Sequence, residues 1–219
     1  MHISKLEIRN FRNFANASFH FDEGVNTLIG ENGSGKTNAF YAIRLLLDDS
    51  LSRRAAVLRD SDFNRAIGNW RGHWITISMK FEQLDASEGC QIIRHTVGHM
   101  SPENKGTYSY YFRPKKEVRK KLFERSEAGL TIGELDVLRS EISIDDYEFV
   151  FTGRANADLT DENNYKKFVG DFETPMFPDP DEDDIDQLGV PTPTLHKDCL
   201  LYTFPSPRDQ RGYRMPSSA

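Results

Sequence analysis

Eight consecutive residues, Gly30, Glu31, Asn32, Gly33, Ser34, Gly35, Lys36 and Thr37, spell the phosphate-loop pattern GxxxxGK[ST]. No other feature narrows the choice of fold as sharply. Glycine tolerates the tight bends that turn successive backbone N–H groups inward around an anion. The lysine of the pattern reaches the β- and γ-phosphates, and the hydroxyl that follows can ligate Mg²⁺. Before the loop, Val25, Asn26, Thr27, Leu28 and Ile29 form a short apolar run suited to a buried strand. After it, Ala39, Ala42, Ile43, Leu46 and Leu47 recur at a helical period. Strand, loop and helix arrive in the order that sets phosphates at a helix N-terminus. The pattern implies an ATP·Mg²⁺ site made of Gly30, Asn32, Gly33, Ser34, Gly35, Lys36, Thr37 and Asn38. Lys36 is the candidate catalytic residue and Thr37 the candidate metal ligand.

The chain has 219 residues, enough for one sizeable core, or for one domain and a fragment. Its mean hydropathy of −0.61 argues against membrane residence. No apolar run approaches the roughly 20 residues that span a bilayer. The opening residues lack the apolar stretch of a signal peptide. Cys90 and Cys199 are too few for a disulfide framework or a zinc site, which fits a reducing cytoplasm. The net charge of −6 is concentrated in Asp179, Asp181, Glu182, Asp183, Asp184 and Asp186; without them the chain is neutral. Interleaved with Pro178 and Pro180, this run reads as an acidic linker or loop over 177–198. It lacks the spaced glycine and closing glutamate of a calcium loop.

Alternation places half-buried antiparallel strands at Leu6 and Ile8 and at Phe19 and Phe21. Ile75, Ile77, Met79 and Phe81 alternate cleanly in a third. Residues 90–97, 107–112 and 147–151 read as further strands, rich in β-branched and aromatic side chains. A basic helix is expected over 115–125, another opened by the capping pair Thr131 and Glu134, and a short one over 161–169. The fold class is α/β: a phosphate-loop head over 1–176, with antiparallel strands flanking a partly parallel sheet. Residues 199–219 have no periodicity and three prolines, as in a disordered tail. They also resemble the translation of a sequencing adapter. The expectation is a non-native tail and a natural sequence that stops near Asp198, leaving the chain a fragment.

Small-molecule kinases usually begin with their phosphate loop, whereas here about 29 residues carrying two extra strands precede it. Leu6-Glu7-Ile8-Arg9-Asn10-Phe11-Arg12-Asn13-Phe14, followed by the stretch from Phe19 to Asn38, resembles the head of SMC/RecF-type ATP-binding-cassette proteins. A narrower resemblance joins residues 44–48, 73–81, 147–153 and 158–168 to the OLD family of ATP-dependent endonucleases, relatives of the Gabija endonucleases. That resemblance implies a head that dimerises, or assembles further, around ATP and regulates a C-terminal Toprim nuclease acting on DNA with divalent metals. It also implies that Arg12 and Asn13 lie in a loop touching the nucleotide.

Hydrolysis requires an acidic Mg²⁺-holding residue after an apolar strand and a group that positions water. Two segments imitate that Walker B pattern. Leu45-Leu46-Leu47-Asp48-Asp49 follows the loop too directly and reads as a helix end. Ile142-Ser143-Ile144-Asp145-Asp146 alternates in a way that argues against a buried central strand. Neither a signature segment nor a Toprim carboxylate set is visible. Arg113, Lys115, Lys116, Arg119, Lys120, Lys121 and Arg125 form one basic patch, whose functional reading is contact with a DNA backbone. Interspersed Glu117 and Glu124 equally suit a solvated helix face. Three readings follow: the ATP-binding part of an OLD-type nuclease, a RecF/SMC-like DNA-binding ATPase without nuclease, or a non-catalytic nucleotide-sensing module.

Overall fold

In the computed structural model, residues 1–48, 57–84, 104–182 and 185–192 are described. The expected strand over 90–97, the tail over 199–219 and parts of the acidic run lie outside them.

Strands β1 (His2–Phe11) and β2 (Phe14–His20) form a hairpin, and β3 (Ile75–Glu82), β4 (Gly106–Pro114), β5 (Tyr147–Gly153) and β6 (Val190–Pro191) extend it. Their order is β2-β1-β3-β4-β5-β6, and every pairing is antiparallel. The partly parallel sheet is therefore not found among the described residues; the sheet is open and antiparallel.

Register follows from the side-chain period of two. Ala17, Ile8, Ile77, Tyr110 and Phe151 stand in one row across five strands. The neighbouring row is Glu7, Ser78, Ser109 and Thr152, and it belongs to the opposite face. The apolar face carries the main core, where Leu6, Ile8, Ile77, Tyr110 and Phe112 meet Ala42, Leu45 and Leu46 of helix α1 (Lys36–Leu47). The other face is covered by the segment after β5. Its second core joins Trp74 and Tyr111 to Leu159, Tyr165, Phe168 and Leu188. β1 is thus buried on both faces rather than half-buried, with Glu7 only 3% exposed.

Helices α2 (Lys116–Glu127) and α3 (Ile132–Ser140) follow β4, and α3 opens with the anticipated capping box between Thr131 and Glu134. Helix α4 (Glu162–Val169) is capped by Asp161, whose carboxylate accepts from the amides of Asn163 and Asn164. Both Walker B look-alikes resolve as local geometry: Asp48 is the C-cap of α1, and Ile144–Asp146 is a 3₁₀ turn. A short helix, α5 (Ile185–Leu188), precedes β6.

A further sequence expectation fails. Residues 25–29 form no strand, and Val25 and Ile29 are 98% and 91% exposed. A strand exists only by pairing, and this run has no described strand beside it. The chain leaves the sheet after the Phe21 amide bonds the Ser4 carbonyl. It then turns around Asn26, whose side chain bonds the amide and carbonyl of Asp22.

Candidate nucleotide site

The loop of residues 30–35 runs directly into α1. Gly33 and Gly35 have φ of +87° and +101°, values that side chains with a Cβ rarely adopt. Gly35 is the N-cap of α1 and contributes no side chain to its amides, and the first turn carries no acidic residue. The first bond within this turn runs from the Ala39 amide to the Gly35 carbonyl. The amides of Lys36, Thr37 and Asn38 precede it and have no helical acceptor, which is the donor set an anion requires. The geometry fits a phosphate.

Lys36 folds back over this loop. Its Nζ donates to the carbonyls of Gly30 at 2.5 Å and Glu31 at 2.7 Å. The ammonium is thereby held above the loop rather than extended into solvent. Thr37 is exposed on the first turn, one residue beyond, where its hydroxyl can meet a cation.

The β1–β2 turn comes to the same place. Asn13 Nδ2 donates to the Ser34 carbonyl (3.2 Å), and Asn38 Nδ2 donates to Asn13 Oδ1 (2.7 Å). Arg12 Nη1 donates to Asn38 Oδ1 (3.1 Å), while its guanidinium lies 4.2 Å from the centre of the Tyr41 ring. Arg12, Asn13, Ser34 and Asn38 therefore form one connected group, and the structure brings all ten expected site residues into one neighbourhood.

Sequence reasoning missed the support of this group. Asp62 accepts from both Arg12 Nε (2.8 Å, to Oδ1) and the Arg12 amide (2.7 Å, to its carbonyl). Asn64 Nδ2 donates to the Arg12 carbonyl at 2.7 Å. Nothing at Asp62 marks it in the sequence, because its partner lies fifty positions earlier. Tyr41 carried a weak signal, being an aromatic one turn into the helix after the loop.

The basic patch looks different in three dimensions. Lys116 and Lys120 both pair with Asp181, at 2.6 and 3.1 Å, and Lys121 pairs with Glu141 at 2.7 Å. Arg113 meets Glu148 (3.3 Å), Lys115 donates to the Asp145 carbonyl (2.7 Å), and Arg119 is buried beside the Trp74 ring. The two lysines hold the Asp181 carboxyl below its ordinary range. Most of this charge is matched internally. Among the described residues no group of three or more His, Cys, Asp or Glu side chains is placed to hold a metal ion, and no helix is long and apolar enough to cross a membrane.

A family model described as an AAA ATPase domain matches residues 1–187. The DNA replication and repair protein RecF of Oceanobacillus iheyensis is 50% identical over 46 residues, which are 21% of this chain and 12% of that protein. RecF of Listeria welshimeri is 38% identical over 63 residues, 29% of this chain and 16% of the relative. This chain therefore spans a small part of the curated relatives it matches. A solved chain from work on ATP-driven dimerization and DNA-stimulated activation of SMC ATPases superposes with a TM-score of 0.38 at 16% identity, covering 96% of each chain.

Proposed function

This chain belongs to the AAA ATPase domain family, and we propose that it binds ATP with Mg²⁺ as the N-terminal lobe of a RecF/SMC-type ATPase that acts on DNA. The observation that carries the reading is the uncapped N-terminus of α1 beneath a phosphate-loop sequence, with Lys36 folded over it. The amides at the start of α1 and Lys36 would hold the phosphates, Thr37 the cation, and Asn32, Asn38, Asn13 and Arg12 the rim. Bound Mg²⁺ would supply charge neutralisation on the phosphates. Lys36 must exchange its bonds to the Gly30 and Glu31 carbonyls for phosphate oxygens, so binding begins with a local rearrangement of one side chain.

The exposed apolar run over 25–29 supports incompleteness of the sheet: Val25 and Ile29 have the composition of a paired strand without a described neighbour. In this reading the hydrolytic acid and the pairing strands come from elsewhere in a longer protein, and two lobes close on ATP. Resemblance at residues 73–81, 147–153 and 158–168 favours an OLD-type parent in which the ATPase governs a Toprim nuclease.

Calorimetric titration of the 219-residue chain with ATP and Mg²⁺ tests the core of this. Binding that falls at least about tenfold in Lys36→Ala is expected, since a charge-assisted contact is lost. Equal affinity in both proteins would remove the site. Phosphate release above the Lys36→Ala background would refute the view that hydrolysis needs residues from outside this chain.

A further inference from the structure

We propose that Asp62 is a positioning residue for the nucleotide, acting through Arg12. The inference rests on the nucleotide reading above. Arg12 is the first of the two residues that join β1 to β2, and its φ of +50°, uncommon for a residue with a Cβ, is the one such a tight hairpin turn asks for there. Asp62 takes both the Arg12 amide and Nε, fixing backbone and side chain from one residue.

Asp62 is itself a fixed post. Its Oδ2 accepts from the Arg59 amide at 3.0 Å, closing the 3₁₀ turn Asp60–Asp62. The next residue, Phe63, is buried and bridges Phe11 at the end of β1 while stacking on Trp70 at 5.1 Å. A carboxylate anchored to the core therefore grips the Nε edge of the guanidinium. The rest of the group lies between the Tyr41 ring and Asn38, over the start of α1. An arginine alone would spread over many rotamers and lose that freedom on binding. Held by Asp62, it meets the terminal phosphate already oriented, so Asp62 favours the triphosphate over the diphosphate without touching either.

The test is titration of ATP and of ADP, each with Mg²⁺, into four proteins: wild type, Asp62→Ala, Arg12→Ala and the double variant. Asp62→Ala should weaken ATP about tenfold, the scale of a charge-assisted hydrogen bond, and ADP less than about twofold. In the Arg12→Ala background the same substitution should change ATP affinity less than about twofold, because coupled residues are not additive. Asp62→Asn, which keeps the shape and one acceptor, should recover part of the loss and guards against a collapsed turn. Equal losses for ATP and ADP, additive losses in the double variant, or no loss in Asp62→Ala would each overturn the assignment. Absence of ATP binding in the wild type would instead fail the nucleotide reading itself.

Discussion

Asn13 Nδ2 lies so close to Gly35 that a Cβ added at Gly35 would stand 2.1 Å from it. The hairpin turn before β2 is thus seated on the backbone of the phosphate loop. The glycine serves two needs at once: a φ of +101°, and room for a side chain arriving from 22 positions earlier.

Gly35→Ala should therefore abolish ATP binding while far-UV dichroism stays close to wild type. The left-handed backbone alone costs roughly 1–2 kcal/mol for a residue with a Cβ. Adding Asn13→Ala should relieve the collision but not that conformational cost. Full recovery of binding in the double variant would show that the φ angle is unimportant.

Glu7 is almost wholly buried in β1, with Lys5 Nζ at 2.5 Å and Lys80 Nζ at 2.8 Å from its Oε1. Glu7→Ala leaves two ammonium groups facing each other without their shared anion. Breaking a buried pair costs about 3–5 kcal/mol, less here because both lysines reach solvent, so a loss of about 2 kcal/mol is expected in urea unfolding. A change below about 0.5 kcal/mol, the scale of a surface substitution, would refute it.

His73 stacks on Phe172 at 3.8 Å and faces Tyr165. Burial, then the nearby Arg139 and Arg9, lower its pKa to about 3. The unfolded chain, at its ordinary value of 6.5, takes up a proton that the folded protein refuses. Stability should hold above pH 6.5 and decline as pH falls toward 3, by up to about 1.4 kcal/mol per unit. Asp158, held to about 2, adds its own loss only below the ordinary carboxylate range. Thermal melts between pH 4 and 6.5 should show the slope, and His73→Phe should flatten it. An unchanged slope in that variant would assign the dependence elsewhere.

Asp181 occupies two of the lysines on α2. Exposed ion pairs contribute about 0–1 kcal/mol, so Asp181→Asn should leave the melting temperature nearly unchanged. If α2 contacts DNA, the same substitution should strengthen association and steepen its salt dependence by about one to two released counterions. Fluorescence anisotropy with a labelled duplex at several salt concentrations measures both. No change would remove α2 as a DNA surface.

The phosphate loop, α1 and the capping box at Thr131 were legible because each is local. Glycine at positive φ, apolar spacing at 3.6 residues and a hydroxyl three residues before a glutamate all act within a turn or two of chain. The alternating strands were legible for the same reason, since the period of two needs no partner to be read. What alternation could not show was that the second face of β1 is covered, because Glu7 and Arg9 look like solvent positions until α4 and its approach pack over them.

Tertiary structure alone decided the rest. Residues 25–29 have strand composition but no described pairing partner, and β-structure is a property of two chain segments, not one. Arg12 and Asp62 meet across fifty positions, and α2 finds Asp181 across more than sixty. The amino-acid sequence by itself determined the glycine-rich loop and the helix start that follows it, whose geometry is written in adjacent residues. The hold on Arg12 and the matching of the basic helix depend on where the sheet carries distant side chains, and those contacts arise only when the core has closed.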